Sequence, residues 1–194
     1  MTDTDLKSKI LDAALECMIE LGIAGVTTKA IAARAGVNEV TLFRRFGNKT
    51  NLLRSVLSRE AEMVATQGFH YTGNLREDLI GITRAYLDLT ARHPGLIPMM
   101  LSELPRHPEL MEVFEGPKSL IFTAGQIIVR YQMEGKLKPE FPFQTLATLL
   151  GPIIVMRLGQ RLLPQDLPPH EIQAEQLVDF HLHGRSRPSG EQGL

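Results

Sequence analysis

The chain has 194 residues, 43% hydrophobic and 22% charged, with a formal net charge of −1. Those proportions supply a substantial core, and the length admits one large domain or two small ones. The single cysteine, Cys17, excludes an internal disulfide framework; set in an apolar helical pattern, it reads as a buried, inert thiol.

In chain order, almost everything reads as helix, because no stretch alternates apolar and polar residues over strand length between turn signals. The opening MTDTDLKSKI lacks the apolar centre of a signal peptide, so a cytoplasmic location is expected. A first helix begins near Thr4, carries Leu6, Ile10, Ala13, Ala14, Cys17 and Leu21 on one stripe, and stops at Gly22. A second follows the cap candidate Thr27, with Ile31, Ala32 and Ala35 inward, and Gly36 supplies a permissive corner. A third runs from Asn38 to the residue before Gly47. Asn48 then caps a fourth, whose apolar positions are Leu52, Leu53, Val56, Leu57 and Val64. Two short helices joined by Ala-Gly-Val, with small residues at the corner, make a helix-turn-helix unit.

Past Gln67 the segment QGFHYTGN breaks the pattern, and Asn74 caps a helix reaching about Arg92. The five prolines of PGLIPMMLSELPRHPELMEVFEGP leave room only for short, bent pieces. A helix from about Lys118 to Glu134 follows. Then comes FPFQTLATLLGPIIVMRLGQRLL, apolar nearly all round, with Pro152 as an expected kink. Arg157, Gln160 and Arg161 crowd its second half, which argues against insertion in a membrane. A last helix is expected to open at Pro168 and Pro169, ahead of a polar tail expected to be disordered.

Charge is unevenly spread. Between Val26 and Arg59 lie Lys29, Arg34, Arg44, Arg45, Lys49, Arg54 and Arg59 against the single acid Glu39. A basic patch on an otherwise acidic chain points to a polyanion bound at one end. On the third helix, residues three and four apart share a face, which puts Asn38, Thr41, Arg44 and Arg45 in front, Leu42 and Phe46 behind, and Phe43 at the boundary. An apolar back under a front of Asn, Thr and Arg is how a groove-reading helix is built, since the arginine fork takes a guanine edge or a phosphate. Thr27 and Thr28 bring hydroxyls and helix N-terminal amides to a phosphate. Lys49, a cation opposing its helix dipole, would be relieved by an anion.

ILDAALECMIELGIAGVTTKAIAARAGVNEVTLFRRFGNKTNLLRSVL, with TTKAIAARAGV, TLF and the Phe-x-Asn-Lys group inside it, resembles the DNA-binding domain of the tetracycline-repressor (TetR) family over residues 5 to 57. The resemblance implies an all-α fold: an N-terminal three-helix helix-turn-helix domain (1–47), a connecting helix (48–67), a C-terminal helical ligand-binding and dimerisation domain (68–184), and a tail (185–194). It implies a homodimeric transcription regulator, most simply a repressor, that binds a near-palindromic operator in double-stranded DNA and is released by a small, largely apolar molecule. Carried over by position, Thr28 and Lys49 fall at phosphate contacts, Lys29 at one that reaches bases, and Asn38, Glu39, Val40, Thr41 and Arg44 in the base-reading helix. The chain departs from the family at Phe43, where a tyrosine is usual, and at Arg45, where His or Tyr is common. A shifted contact set that still binds DNA is expected.

For the C-terminal half, six of the eight phenylalanines and six of the eight methionines lie after residue 60. Met99, Met100, Met111, Phe114, Phe122, Met133 and Met156 are candidates to line an adaptable apolar cavity, with ordinary core packing as the alternative. Arg84, Gln126, Arg130 and Arg157 sit in otherwise apolar helices and could orient a ligand's polar end, or face solvent or a partner subunit. The final two helices are apolar enough to suggest a dimer contact. A constitutive DNA-binding protein without an effector is the alternative function. An enzyme is disfavoured because there is no Gly-rich phosphate loop and no Cys/His metal spacing, and His181 and His183 point apart on a helix. No cofactor, catalytic residue or metal is expected.

Overall fold

A computed structural model describes residues 2–103, 105–167 and 171–183. These residues form α1 (Asp3–Gly25), α2 (Thr28–Ala35), α3 (Glu39–Phe46), α4 (Lys49–Gly68), α5 (Leu75–Arg92), α6 (Leu96–Glu103), a 3-10 turn (Pro108–Phe114), α7 (Glu115–Met133), α8 (Pro142–Leu162) and α9 (Ala174–His183), with no strand among them. Helix starts are set by caps. Thr27, Asn38, Asn48 and Asn74 each accept a hydrogen bond from a backbone N–H in the first turn of α2, α3, α4 and α5.

Several boundaries differ from the sequence reading. The first helix is capped by Thr2, not Thr4, through a capping box in which Asp5 returns the bond to the Thr2 N–H. Its regular helix breaks at Gly22 as expected: that glycine, at φ 75° and ψ 161°, is non-helical, and a short further turn carries Ile23 into the core. The helix expected from Lys118 begins at Glu115, directly on the 3-10 turn. The expected start of the last helix at Pro168 and Pro169 lies outside the described residues, as does the polar tail; residues 171–173 are not helical, so α9 begins at Ala174.

α1 to α3 form a head and α5 to α9 a body, with α4 running through both. One buried cluster is shared between them: Ile10, Ala14, Met18, Ile31, Leu42 and Leu53 of the head are continuous with Leu89, Leu96, Met99 and Phe114 of the body. The body has two further clusters, around Leu79, Ile128 and Leu149 and around Ile82, Ile127 and Tyr131.

α4 and α5 meet glycine to glycine. A Cβ on Gly68 would strike the Gly81 carbonyl, so the two backbones approach as closely as only glycine permits. Gly116 makes a similar approach of α7 to α4, where its Cβ would lie 2.5 Å from Ser58 Cα. These contacts seat α4 against the body while its first turns hold the head.

Candidate nucleic-acid interface

α2 and α3 are joined by a tight corner. Gly36 takes the left-handed conformation at φ 61°, its N–H donates to the Ala33 carbonyl, and the Val37 N–H donates to the Ala32 carbonyl at 3.0 Å. Leu42 is buried beneath α3, and Val37 and Phe46 pack against the same core. That apolar attachment fixes which face of α3 looks outward. On the outward side Val40 is 70% exposed, Phe43 46%, and Arg44 is exposed with no hydrogen bond or ion pair among the described residues. Thr41 is half-buried beside them, and Lys29 of α2 is exposed. Lys29, Val40, Phe43 and Arg44 therefore form the open part of the surface.

The other expected contact residues are engaged within the head. The Thr27 hydroxyl accepts from the Ala30 N–H at 3.1 Å, and Asn38 Oδ1 accepts from the Val40 N–H at 2.9 Å. The Thr28 hydroxyl donates to the Glu39 carboxylate, tying the start of α2 to the start of α3. Lys49 Nζ donates to the Ala24 carbonyl at 3.3 Å, and burial lowers its pKa, so the ammonium is already short of water.

Arg45 departs most from the sequence reading. It was expected beside Arg44 on the front of α3, but it turns toward the N-terminus of α1 and forms a bidentate pair with Asp3. The partnership holds Asp3 below the usual carboxylate range, chiefly through the hydrogen bond, and raises Arg45 in turn. Positions 3 and 45 are 42 residues apart, and no local periodicity could have paired them.

The expected effector residues are not gathered around one cavity. Met99 and Phe114 are buried in the shared core, and Met100 packs against it. Met111, Phe122 and Met133 are exposed, at 48%, 68% and 83%. Arg84 pairs with Glu175 across α5 and α9, and the Arg130 guanidinium lies 3.5 Å from the centroid of the Tyr71 ring. Gln126 is exposed and Met156 half-buried. Helices α7 and α8 are apolar on more than one side, so spacing alone could not say which residues face inward. Among the described residues no group of three His, Cys, Asp or Glu could hold a metal ion, and no helix is long and apolar enough to cross a membrane.

Residues 10–56 match the family model described as "Bacterial regulatory proteins, tetR family". The HTH-type transcriptional regulator YvkB of Bacillus subtilis (strain 168) is 29% identical over 114 residues, which is 54% of this chain and 60% of that protein. This chain thus spans less than two thirds of that relative's length. Among solved structures, the transcriptional regulator FadR of Bacillus subtilis, in complex with stearoyl-CoA, superposes with a TM-score of 0.67 at 19% identity, covering 92% of this chain and 99% of that one. AibR, in complex with isovaleryl coenzyme A and operator DNA, gives 0.61 at 18%, covering 91% and 96%. At such identities the structural likeness speaks to the fold alone. Over residues 10–56 the chain is thus similar to the tetR family of bacterial regulatory proteins, and its all-helical architecture is that of these solved regulators.

Proposed function

We propose that this protein is a ligand-responsive repressor that binds a near-palindromic operator as a homodimer. The observation that carries the DNA reading is the outward face of α3, where exposed Arg44, with no hydrogen bond or ion pair among the described residues, stands beside exposed Val40 and Phe43 on a helix clamped from behind by Leu42. Arg44 reads a base edge, while Val40 and Phe43 meet thymine methyls or sugar edges. Thr27, Thr28 and Lys49 hold the backbone and Lys29 reaches toward bases; Asn38, Glu39 and Thr41 complete the base-reading helix, and Arg45 sits behind it on Asp3. In this division residues 1–47 read DNA, 48–67 connect, and 68–184 bind effector and partner subunit.

Self-association through α8 and α9 is supported by Val155, Leu158 and Leu162, which leave an apolar stripe on the outer side of α8 at 70%, 40% and 68% exposure. Two such stripes related by a twofold axis would cover one another and set the distance between the heads. The effector reading is supported by FadR and AibR, each solved with an acyl-coenzyme A.

Fluorescence anisotropy with an operator selected from the DNA around its own gene tests the interface. Arg44→Ala is expected to lose about 1–3 kcal/mol and relax preference at one base pair per half-site. Lys49→Ala is expected to weaken all sequences alike and flatten the salt dependence by about one unit of slope. Unchanged affinity and preference for Arg44→Ala would remove Arg44 from the reading set.

A further inference from the structure

A cleft of about 880 Å3 separates the head from the body. The middle of α1 forms one wall, with Leu15 and Ile19 as its apolar part. The turn between α5 and α6 forms the floor at Pro94 and Gly95, and the second half of α8 forms the far wall with Arg157 and Arg161. Gly95 lies so close to α1 that a Cβ there would strike Ile19 Cγ2.

Most of the charge around this cleft is already paired. Asp12 meets Arg59 at 2.8 Å, and Arg34 meets Glu20 at 2.6 Å and Glu16 at 3.8 Å. Arg92 and His93 both reach the buried carboxylate of Glu60, at 3.4 and 3.3 Å. Arg157 and Arg161 stand one helical turn apart and have no acid or hydrogen-bond partner among the described residues. Arg157 Nε is buried without a hydrogen-bond partner, which is costly for a charged group unless something else supplies an acceptor.

Two adjacent guanidinium groups, unpartnered among the described residues, in a cleft with an apolar strip of Leu15, Ile19 and Pro94 between acids already paired with Arg59 and Arg34, match one kind of ligand. We propose that the cleft binds a small amphipathic organic anion, its carboxylate or phosphate held by Arg157 and Arg161 and its apolar part laid against Leu15, Ile19 and Pro94. A guanidinium fork takes either oxyanion in two parallel hydrogen bonds, and the volume lies within the range of small-molecule sites. The ligand would touch α1 of the head and α8 of the body together. It would therefore fix the angle between the reading helix and the face that carries the subunit partner. The regulatory consequence rests on the effector reading above; the binding site does not.

Isothermal titration of the full chain with decanoate, decyl phosphate and the uncharged control 1-decanol tests the site. At least one anion is expected to bind, with decanol at least tenfold weaker; whichever anion is preferred identifies the head group. The double variant Arg157→Gln/Arg161→Gln is expected to weaken the preferred anion at least tenfold, while its operator affinity without ligand stays that of the parent. Arg157→Lys, which keeps the charge but not the fork, should weaken binding less than Arg157→Gln. Ile19→Glu should lose it without touching either arginine. Binding by neither anion, or equal binding to the parent and the double variant, overturns the proposal. If the anion binds through the arginines but operator affinity does not change at saturation, the site stands and the effector reading fails.

Discussion

Asp78 carries a buried carboxylate, 4% exposed, in the first turn of α5. It accepts from the Thr72 N–H at 2.7 Å, from the Thr72 hydroxyl at 2.6 Å and from the Tyr131 hydroxyl. Burial pushes the Tyr131 hydroxyl well above its ordinary pKa, and the Asp78 hydrogen bond adds to that, so the phenol is a donor throughout the accessible range. Tyr131→Phe removes one donor from a carboxylate that water cannot reach, and is expected to cost about 1–3 kcal/mol in urea unfolding. A cost near zero would mean that the carboxylate finds a replacement donor. His181 of α9 is partly buried, and burial lowers its pKa below the ordinary 6.5. The unfolded imidazole therefore binds its proton more readily than the folded one, and stability is expected to fall as pH drops below about 6.5. His181→Leu should make the melting temperature less sensitive to pH in that window; an unchanged pH dependence would assign it to other groups.

At the scale of elements, α3 was legible because one stripe of apolar residues leaves the other side free, and a period of 3.6 sorts them. Val37, Leu42 and Phe46 lie inward and Arg44 outward as that period requires. The caps Thr27, Asn38, Asn48 and Asn74 were legible for a local reason as well: their side chains bond to amides two or three residues on. The Asp3–Arg45 and Thr28–Glu39 pairs were not, since they join different helices and depend on how those helices cross. The crossing of α4 and α5 hid in the same way, because Gly68 and Gly81 carry no pattern that identifies one as the neighbour of the other. Gly81→Ala and Gly68→Ala are each expected to destabilise the fold by about 1–3 kcal/mol through forced separation of these helices. Thermal melting checks this: an unchanged melting temperature for both would show that the crossing can widen without loss.

For the whole molecule, the head was legible as a unit and the body was not. A body helix such as α7 presents Ile128 and Tyr131 to the interior and Phe122 and Met133 to the outside, and apolar spacing describes both faces equally well. The cleft lined by Arg157 and Arg161 was only half legible. The sequence singles out arginines in an apolar helix, but nothing in it says that α1 lies opposite. The outer stripe of α8 leads to a prediction at this scale. Val155→Arg places a charge at the centre of the proposed subunit contact and is expected to give a monomer by analytical ultracentrifugation. The operator affinity of that variant should fall because the two heads no longer bind together.

Whether α3 reads DNA through Arg44, as proposed, is measured by sequence selection from a random duplex pool. The parent protein is expected to enrich a near-palindrome with two equivalent half-sites, and Arg44→Ala a related motif with one position degenerate in each half. Failure of the parent to enrich any motif, or enrichment of an identical motif by Arg44→Ala, would contradict it.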